Sequence, residues 1–223
     1  MKILAIALFA VVITIYLLAK LRRLERRIVE PSGRSQETEG IISREDEPKF
    51  TPEKWNSDPY VTNSHNCYSY ALDDVNTSLR DKCRDLLRSG KEPSCLSLRP
   101  MIGYADGNAR PYQELSCDAV RDHVQTDNPS IVDVEQTTEC PDEHYKIGYA
   151  INAERGWGHY HFYRQDADGT WSHKDGGKKA TQYDESGERL VDPALASRGN
   201  YKDFCGYMCV PKNSHAPTYM DTE

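Results

Sequence analysis

The stretch "HYHFYRQDADGTWSHK", His159–Lys174, decides how the chain arranges its chemistry. Short β-branched and aromatic runs on both sides of an Asp-Ala-Asp-Gly sequence are typical of a β-hairpin. If residues 167–169 form a three-residue loop, with Gly169 in the left-handed region, Asp166 pairs with Thr170. The position of the glycine, last in the loop, favours this arrangement over a two-residue turn.

This register determines which side chains share a face of the hairpin. Tyr163 lies opposite His173, and His161 lies opposite Asp175. His161 and His173 then become diagonal neighbours, roughly 7 Å apart at the backbone and within reach of each other's rings. A two-residue loop would place the two histidines on opposite faces. The sequence therefore predicts two interacting imidazoles.

The surrounding sequence predicts an α+β domain. Helical patterns come first, in "TNSHNCYSYAL", "SLRDKCRDLLRSG" and "CDAVRDHVQTD". Thr62, Asn63 or Ser64 is a candidate cap for the first helix, and Gly90 ends the second. Short strand-like runs follow: "IVDVEQ", "YKIGYAIN", "HYHFYRQ", "TWSHK" and "FCGYMCV". Helices followed by an antiparallel sheet are typical of an α+β domain.

Composition divides the 223 residues into three regions. Residues 1–27 contain an uncharged run, Ile3–Ala19, followed by five basic residues, which predicts a transmembrane anchor rather than a cleaved signal peptide. Residues 28–54 are polar and predict a flexible linker. Residues 55–223 predict the folded domain, which is long enough for a proper core.

The charge of the chain argues against nucleic acid as a partner. Residues 28–223 carry 22 basic and 34 acidic side chains, a net charge of −12. An acidic body is unsuited to binding a phosphate backbone. The basic cluster in residues 20–27 is better explained as the charged flank of a transmembrane helix. The membrane is therefore a predicted partner of the N-terminal region.

Seven cysteines leave one without a partner if the others are paired. Cys67 lies at the start of a predicted helix, where the helix dipole favours the thiolate, and is the candidate nucleophile. Proximity in sequence suggests the disulfides Cys83–Cys95 and Cys117–Cys140. Cys205 and Cys209 remain, roughly 13 Å apart in an extended strand. Either the chain bends at Gly206, or these two pair with the earlier four and the local pairs are wrong.

The cysteine and the histidines also have non-catalytic interpretations. In one of these, Cys67 is a free buried cysteine that behaves as a small apolar residue. The histidines would be ordinary members of an aromatic sheet, or His159 and His161 would bind a metal as a His-x-His pair. No metal or other cofactor is predicted, because the sequence lacks an accompanying acidic helix motif.

The order of Cys67, His161 and His173 resembles that of the papain-like cell-wall peptidases and amidases of the NlpC and CHAP types. The hairpin "HFYRQDADGTWSH" is similar to the NlpC pattern, and "CYSYA" to the Cys-x-x-Tyr-Ala of CHAP domains. The resemblance spans about Asn63 to Lys174. It implies a papain-like domain, with the cysteine helix packed on the sheet, and a peptide or peptidoglycan-like substrate.

The resulting hypothesis is a cysteine hydrolase that cleaves an amide bond. Cys67 attacks the carbonyl, His161 transfers the proton, and His173 orients His161, with Asp175 as the alternative orienting residue. Asn63 and Asn66 are candidate side chains for the oxyanion site, beside the backbone N–H of Cys67. The alternatives are a non-catalytic, disulfide-stabilised interaction protein and a lipid acyltransferase or thioesterase.

Two arguments about location conflict. The basic residues after the apolar run place the domain on the cytoplasmic side of the membrane. Paired cysteines and a cell-wall substrate favour the oxidising side. The charge bias is the more direct observation, so the cytoplasmic side is predicted. A virion membrane of a large DNA virus would satisfy both arguments.

Overall fold

The computed structural model of the protein describes residues 47–90, 94–106, 115–155 and 159–218. They all belong to one compact unit, Ile41–Glu223. The predicted anchor, residues 1–27, and most of the predicted linker lie outside the described residues. The last part of the linker packs on the domain, where the Glu47 carboxylate accepts a hydrogen bond from the backbone N–H of Lys146.

The described helices begin where the sequence offers a cap. They are α1 (Pro52–Asn56), α2 (Pro59–Ser64), α3 (Cys67–Ala71), α4 (Thr77–Ser89) and α5 (Cys117–Asp127). Short 3-10 turns occur at Leu96–Leu98, Tyr104–Asp106 and Ala153–Arg155. Each of α2 to α5 has an Asp, Asn or Ser at its N-cap, whose side chain accepts hydrogen bonds from the first turn.

The predicted first helix is therefore two helices. Asp58 caps α2 and Asn66 caps α3, so none of Thr62, Asn63 and Ser64 is a cap. The predicted second and third helices are confirmed as α4 and α5, and Gly90 ends α4.

The strands form one antiparallel sheet with the order β1-β5-β2-β3-β4 in the described part of the chain. Their bounds are β1 (Val132–Val134), β2 (His144–Ile151), β3 (Tyr160–Gln165), β4 (Trp171–His173) and β5 (Asp203–Pro211). All five overlap the runs that the sequence predicts, although β2 begins one residue earlier and β5 extends one residue further at each end. The last strand in the chain is inserted beside β2 in the centre of the sheet.

The hairpin β3–β4 has the predicted register. The backbone N–H of Asp166 donates to the carbonyl of Thr170 at 2.8 Å, and Gly169 has φ 77°. Tyr163 is paired with His173. A three-residue loop with its last residue in the left-handed region favours glycine there, since a Cβ is strained at positive φ.

The helix α3 packs on strand β3 and defines the faces of the sheet. The Tyr68 and Phe162 rings are 5.3 Å apart, and an Nη of Arg164 donates to the Tyr70 hydroxyl at 3.2 Å. Even-numbered side chains of β3 therefore face α3. His161 belongs to the other face, where its ring meets that of Tyr163. Both faces are buried, so the core lies on both sides of the sheet.

Three disulfides connect the elements: Cys83–Cys95, Cys117–Cys205 and Cys140–Cys209. The prediction of Cys83–Cys95 is confirmed, and that of Cys117–Cys140 is wrong. The reason is the strand order, because β5 lies between β1 and β2 and brings Cys205 and Cys209 within bonding distance of the two earlier cysteines. Cys67 is free, as the odd number of cysteines predicts.

The predicted fold class needs a correction, because it placed a transmembrane helix before the domain. In the residues that the structure describes, no helix is long and apolar enough to cross a bilayer. The longest, α4, has 13 residues. At a rise of 1.5 Å per residue it spans about 20 Å, against a hydrocarbon core of about 30 Å. The supported fold is a mixed domain of helices on a five-stranded antiparallel sheet.

Candidate functional site

Cys67 is the first residue of α3 and is held there by its neighbour. The Asn66 side-chain oxygen accepts hydrogen bonds from the backbone N–H groups of Tyr68 and Ser69, at 3.1 and 3.3 Å. The Cys67 side chain is buried, and its thiol donates to the carbonyl of Tyr160 at 3.9 Å. The free cysteine is thus placed against the first residue of β3.

The environment of the thiol opposes ionisation. Burial raises the pKa of Cys67 to about 12, because removal from water disfavours the thiolate. Hydrogen bonding to the backbone of Phe162 acts in the other direction but is the smaller effect. The prediction that the start of a helix favours the thiolate therefore does not describe the resting thiol, in which desolvation dominates.

His161 and His173 form a hydrogen-bonded pair. The distance between His161 Nε2 and His173 Nδ1 is 2.8 Å, and His173 Nε2 lies 2.9 Å from the carbonyl of Tyr183. A carbonyl only accepts, so neutral His173 carries its proton on Nε2 and accepts at Nδ1. His161 then donates from Nε2. Its Nδ1 is left as a lone pair, buried and without a hydrogen-bond partner among the described residues.

Burial disfavours the protonated form of both imidazoles. It lowers the pKa of His161 well below its ordinary value, and a positive charge on His173 would lower it further. Burial also lowers the pKa of His173, although its hydrogen bond to the Tyr183 carbonyl acts in the other direction. A neutral pair is what the orientation of the two hydrogen bonds requires.

Tyr201 covers the histidine pair from one side. Its ring stacks on that of His161 with centroids 4.8 Å apart and an interplanar angle of 17°. Its hydroxyl donates to the carboxylate of Asp175 at 3.3 Å, and Lys178 pairs with the same carboxylate at 2.7 Å. Within the described residues, Asp175 makes no hydrogen bond with His161. Of the two predicted orienting residues, the one that bonds to His161 is His173.

The thiol lies beside the strand that carries His161, but it is not hydrogen-bonded to the imidazole. The thiol contacts the carbonyl of Tyr160, the residue before His161. In the part of the chain that the structure describes, no hydrogen bond links Cys67 Sγ with His161. A thiol–imidazole pair therefore requires Sγ to leave the carbonyl and reach Nδ1.

A cavity of about 340 Å³ gives access to the thiol. Its walls include Asn66, Cys67, Arg99, Tyr160, Asp175 and Tyr201. The volume is at the small end of the range for small-molecule sites. His161 and His173 lie behind this wall, since the ring of Tyr201 stacks on His161.

The comparisons with known proteins identify one relationship. The chain is 32% identical over 162 residues to "Insoluble matrix shell protein 1" of Ruditapes philippinarum, a match that covers 73% of this chain and 89% of that protein. The chain belongs to the family of this insoluble matrix shell protein. No family model matches the chain, and no solved structure matches it.

The side-chain amides of the two predicted oxyanion donors both hydrogen-bond to backbone carbonyls. The Asn66 side-chain amide donates to the carbonyl of Pro100 at 2.6 Å, and that of Asn63 donates to the carbonyl of Pro59 at 2.8 Å. Asn66 lines the cavity, whereas Asn63 does not. Each amide thus has one of its two N–H donors engaged with the backbone in this conformation. The first N–H groups of α3 at Tyr68 and Ser69 are likewise bonded to Asn66.

Two further residues, Lys174 and Arg99, belong to the site, and no motif in the sequence identifies them. The Lys174 ammonium is buried and donates to the carbonyls of Thr62, His65 and Gly176, at 2.6 to 2.7 Å. Burial lowers the pKa of Lys174 to about 7. These bonds fix the loop before Cys67. Arg99 lines the cavity from a connecting segment.

The arrangement of the described side chains does not support metal binding by His159 and His161. The described residues contain no group of three or more His, Cys, Asp and Glu side chains arranged to hold a metal ion. One nitrogen of His161 is engaged with His173.

Proposed function

We propose that the domain is a cysteine hydrolase that cleaves an amide bond in a peptide or peptidoglycan-like substrate. The observation that carries the proposal is the His161–His173 hydrogen bond at 2.8 Å. It holds a neutral imidazole with a free lone pair on the same strand that the unpaired thiol of Cys67 contacts. A nucleophile, a base and a group that orients the base are the parts of a thiol hydrolase. The resemblance to NlpC-type and CHAP-type enzymes rests on the same three residues.

The proposed reaction begins with a movement of the thiol. Cys67 Sγ leaves the carbonyl of Tyr160 and approaches His161 Nδ1, which takes the thiol proton. The thiolate attacks the substrate carbonyl, and His161 returns the proton to the leaving amine. Water then attacks the resulting thioester and gives up a proton to His161. The C–S bond breaks, the acid is released, and His161 returns the proton to Cys67 Sγ. His173 stabilises the imidazolium by accepting from Nε2 in each step.

The decisive experiment compares purified full chains on three substrate classes: peptides, peptidoglycan fragments and acyl thioesters. Cys67→Ala and His161→Ala should each abolish hydrolysis of peptide or peptidoglycan amides. The matched control is His159→Ala, because His159 is the next imidazole along the chain and lies outside the bonded pair. Hydrolysis of thioesters alone would instead favour the acyltransferase or thioesterase alternative. Equal activity of wild type and Cys67→Ala would refute the hydrolase.

The second candidate function is a non-catalytic matrix component. The name of the Ruditapes philippinarum relative, the three disulfides and the raised pKa of the Cys67 thiol support it. Disulfides form in oxidising compartments, so they favour an extracellular domain over the cytoplasmic side that the charge bias predicts. This function does not need the thiol. Cys67→Ala would then incorporate into an insoluble matrix as well as the wild type, and neither would hydrolyse any of the substrates.

A further inference from the structure

The guanidinium of Arg99 lies in the Cys67 cavity with most of its hydrogen-bonding capacity unused. Its Nε donates to the carbonyl of Asn63 at 2.9 Å. Within the described ranges, neither Nη atom has a hydrogen-bond partner, and no carboxylate lies within ion-pair distance. A guanidinium has five N–H donors, so four of them are free.

The position of Arg99 depends on two adjacent glycines. The guanidinium rests on the backbone of Gly176 and Gly177, and a Cβ at Gly177 would lie 2.3 Å from Nη2. A Cβ at Gly176 would lie 3.2 Å from Nη1. The "DGG" sequence after Lys174 therefore leaves the space that this side chain occupies.

The environment of Arg99 makes an anionic partner favourable. The side chain is partly buried, and the loss of water lowers its pKa, although the guanidinium remains charged. Within the described residues, the carboxylate of Asp175 attracts the guanidinium but makes no hydrogen bond to it. A carboxylate that accepts two parallel N–H bonds would compensate more fully for the lost water.

The other charged groups nearby are already satisfied. Asp175 pairs with Lys178 and accepts from the Tyr201 hydroxyl. The Lys174 ammonium uses its three donors on backbone carbonyls. Among the described residues that line the cavity, Arg99 is thus the cation with free donors.

The rest of the cavity wall is largely apolar and aromatic. Leu96, Met101, Tyr160 and Tyr201 line it with Arg99. Leu96 is 64% exposed, so an apolar side chain stands at the mouth. The ligand that matches these walls has an apolar group beside a carboxylate.

We propose that Arg99 is a carboxylate-binding residue of the Cys67 cavity, and that the cavity takes a short peptide with a carboxylate next to an apolar side chain. The assignment of this peptide as a substrate rests on the proposed hydrolase function. The binding of the carboxylate does not, because it needs no thiol. The carboxylate is either the C-terminus of the peptide or an acidic side chain.

Equilibrium binding to the full-length Cys67→Ala chain tests the proposal without turnover. Three peptides with an N-terminal fluorophore serve as probes: Ala-Leu-Ala as the free acid, Ala-Leu-Ala amide, and Ala-Leu-Glu amide. We expect one or both acidic probes to bind about 10- to 100-fold more tightly than the neutral amide, the range for a charge-assisted bidentate contact. Preference for the free acid identifies a C-terminal carboxylate, and preference for Ala-Leu-Glu amide identifies a side chain.

Substitutions then assign the preference to one side chain. Arg99→Gln in the Cys67→Ala background should remove the difference between acidic and neutral probes, and Arg99→Lys should retain part of it. Arg84→Gln is the control, since Arg84 is a half-buried arginine of α4 that pairs with Asp81 and lies outside the cavity wall. Should Arg99→Gln fail to fold, Gly177→Ala provides a second variant, which keeps the charge but displaces Nη2 and should weaken the preference.

The outcomes separate this proposal from the hydrolase. Equal binding of the three probes, no binding of any, or a preference that survives Arg99→Gln would overturn the role of Arg99. Turnover of the same peptides by the wild-type chain without preference for a carboxylate would overturn it as well, and leave the hydrolase standing. Carboxylate-dependent binding with no turnover would support Arg99 and count against the hydrolase.

Discussion

Replacement of His173 tests whether the histidine pair is built as described. His173→Leu removes the acceptor for the Nε2–H of His161 and the donor to the Tyr183 carbonyl. His161 is 1% exposed, so its N–H would be left without water or a partner. A buried unsatisfied donor costs about 1–3 kcal/mol. Tyr183 is exposed, and its carbonyl can bind water instead, so we assign it no further loss.

His173→Asn is the matched control. Its side-chain oxygen can take the place of Nδ1 and accept from His161, whereas its amide does not extend to the place of Nε2. The Tyr183 carbonyl therefore binds water in both variants, and only the acceptor for His161 differs. We expect urea unfolding at pH 7.5 to show His173→Leu about 1–3 kcal/mol less stable than His173→Asn. If the protein hydrolyses amides, His173→Asn should also keep more activity. Equal stability of the two variants would refute the described hydrogen bonding.

The remaining predictions concern the thiol, the disulfides and pH. Because burial raises the pKa of Cys67 from 9.0 to about 12, its resting thiolate fraction near neutral pH should be about 1,000-fold below that of an unperturbed thiol, and alkylation by iodoacetamide correspondingly slow. Mass-spectrometric labelling rates as fast as those of an exposed cysteine in a reference peptide would contradict this. Replacing both cysteines of Cys117–Cys205 by alanine should destabilise the fold by about 5 kcal/mol, and the same change at Cys83–Cys95 by about 3 kcal/mol. The difference arises because the first pair is separated by 88 residues in the sequence and the second by 12. Denaturant titrations that gave the reverse order would count against the loop-entropy argument. His65 is buried, and burial lowers its pKa to about 4. The unfolded chain therefore binds the proton more readily, so stability that is present above pH 6.5 is lost as the pH falls towards 4, by about 3 kcal/mol from this residue alone. His65→Gln should reduce the pH dependence of urea unfolding between pH 7 and 4.5, and an unchanged slope would show that His65 is not responsible.

Features that depend on neighbours in the chain could be predicted from the sequence. The hairpin register follows from one loop of three residues and the position of Gly169, which is why Tyr163 was correctly placed opposite His173. The bounds of α4 and α5 follow from their caps and apolar periodicity. The helix start at Cys67 is marked by local polar residues, although the cap proved to be Asn66.

The histidine pair and the free thiol were predictable for the same reason. A strand alternates its side chains with a period of two, so the register alone determines that His161 and His173 share a face. An odd number of cysteines leaves one unpaired, and its place at the start of α3 distinguishes Cys67.

Only the tertiary structure decides what burial and distant contacts do to these residues. The sheet order brings β5 between β1 and β2, and this order, not sequence distance, pairs Cys117 with Cys205. The packing of α3 on β3 removes the Cys67 thiol from water and raises its pKa, which outweighs the helix start. Arg99 enters the same cavity because distant glycines leave it room. Periodicity and capping act over a few residues and are visible in the sequence. Desolvation and strand insertion depend on segments far apart in the chain. The pKa of the Cys67 thiol and the position of Arg99 in the cavity wall are therefore decided by the tertiary structure.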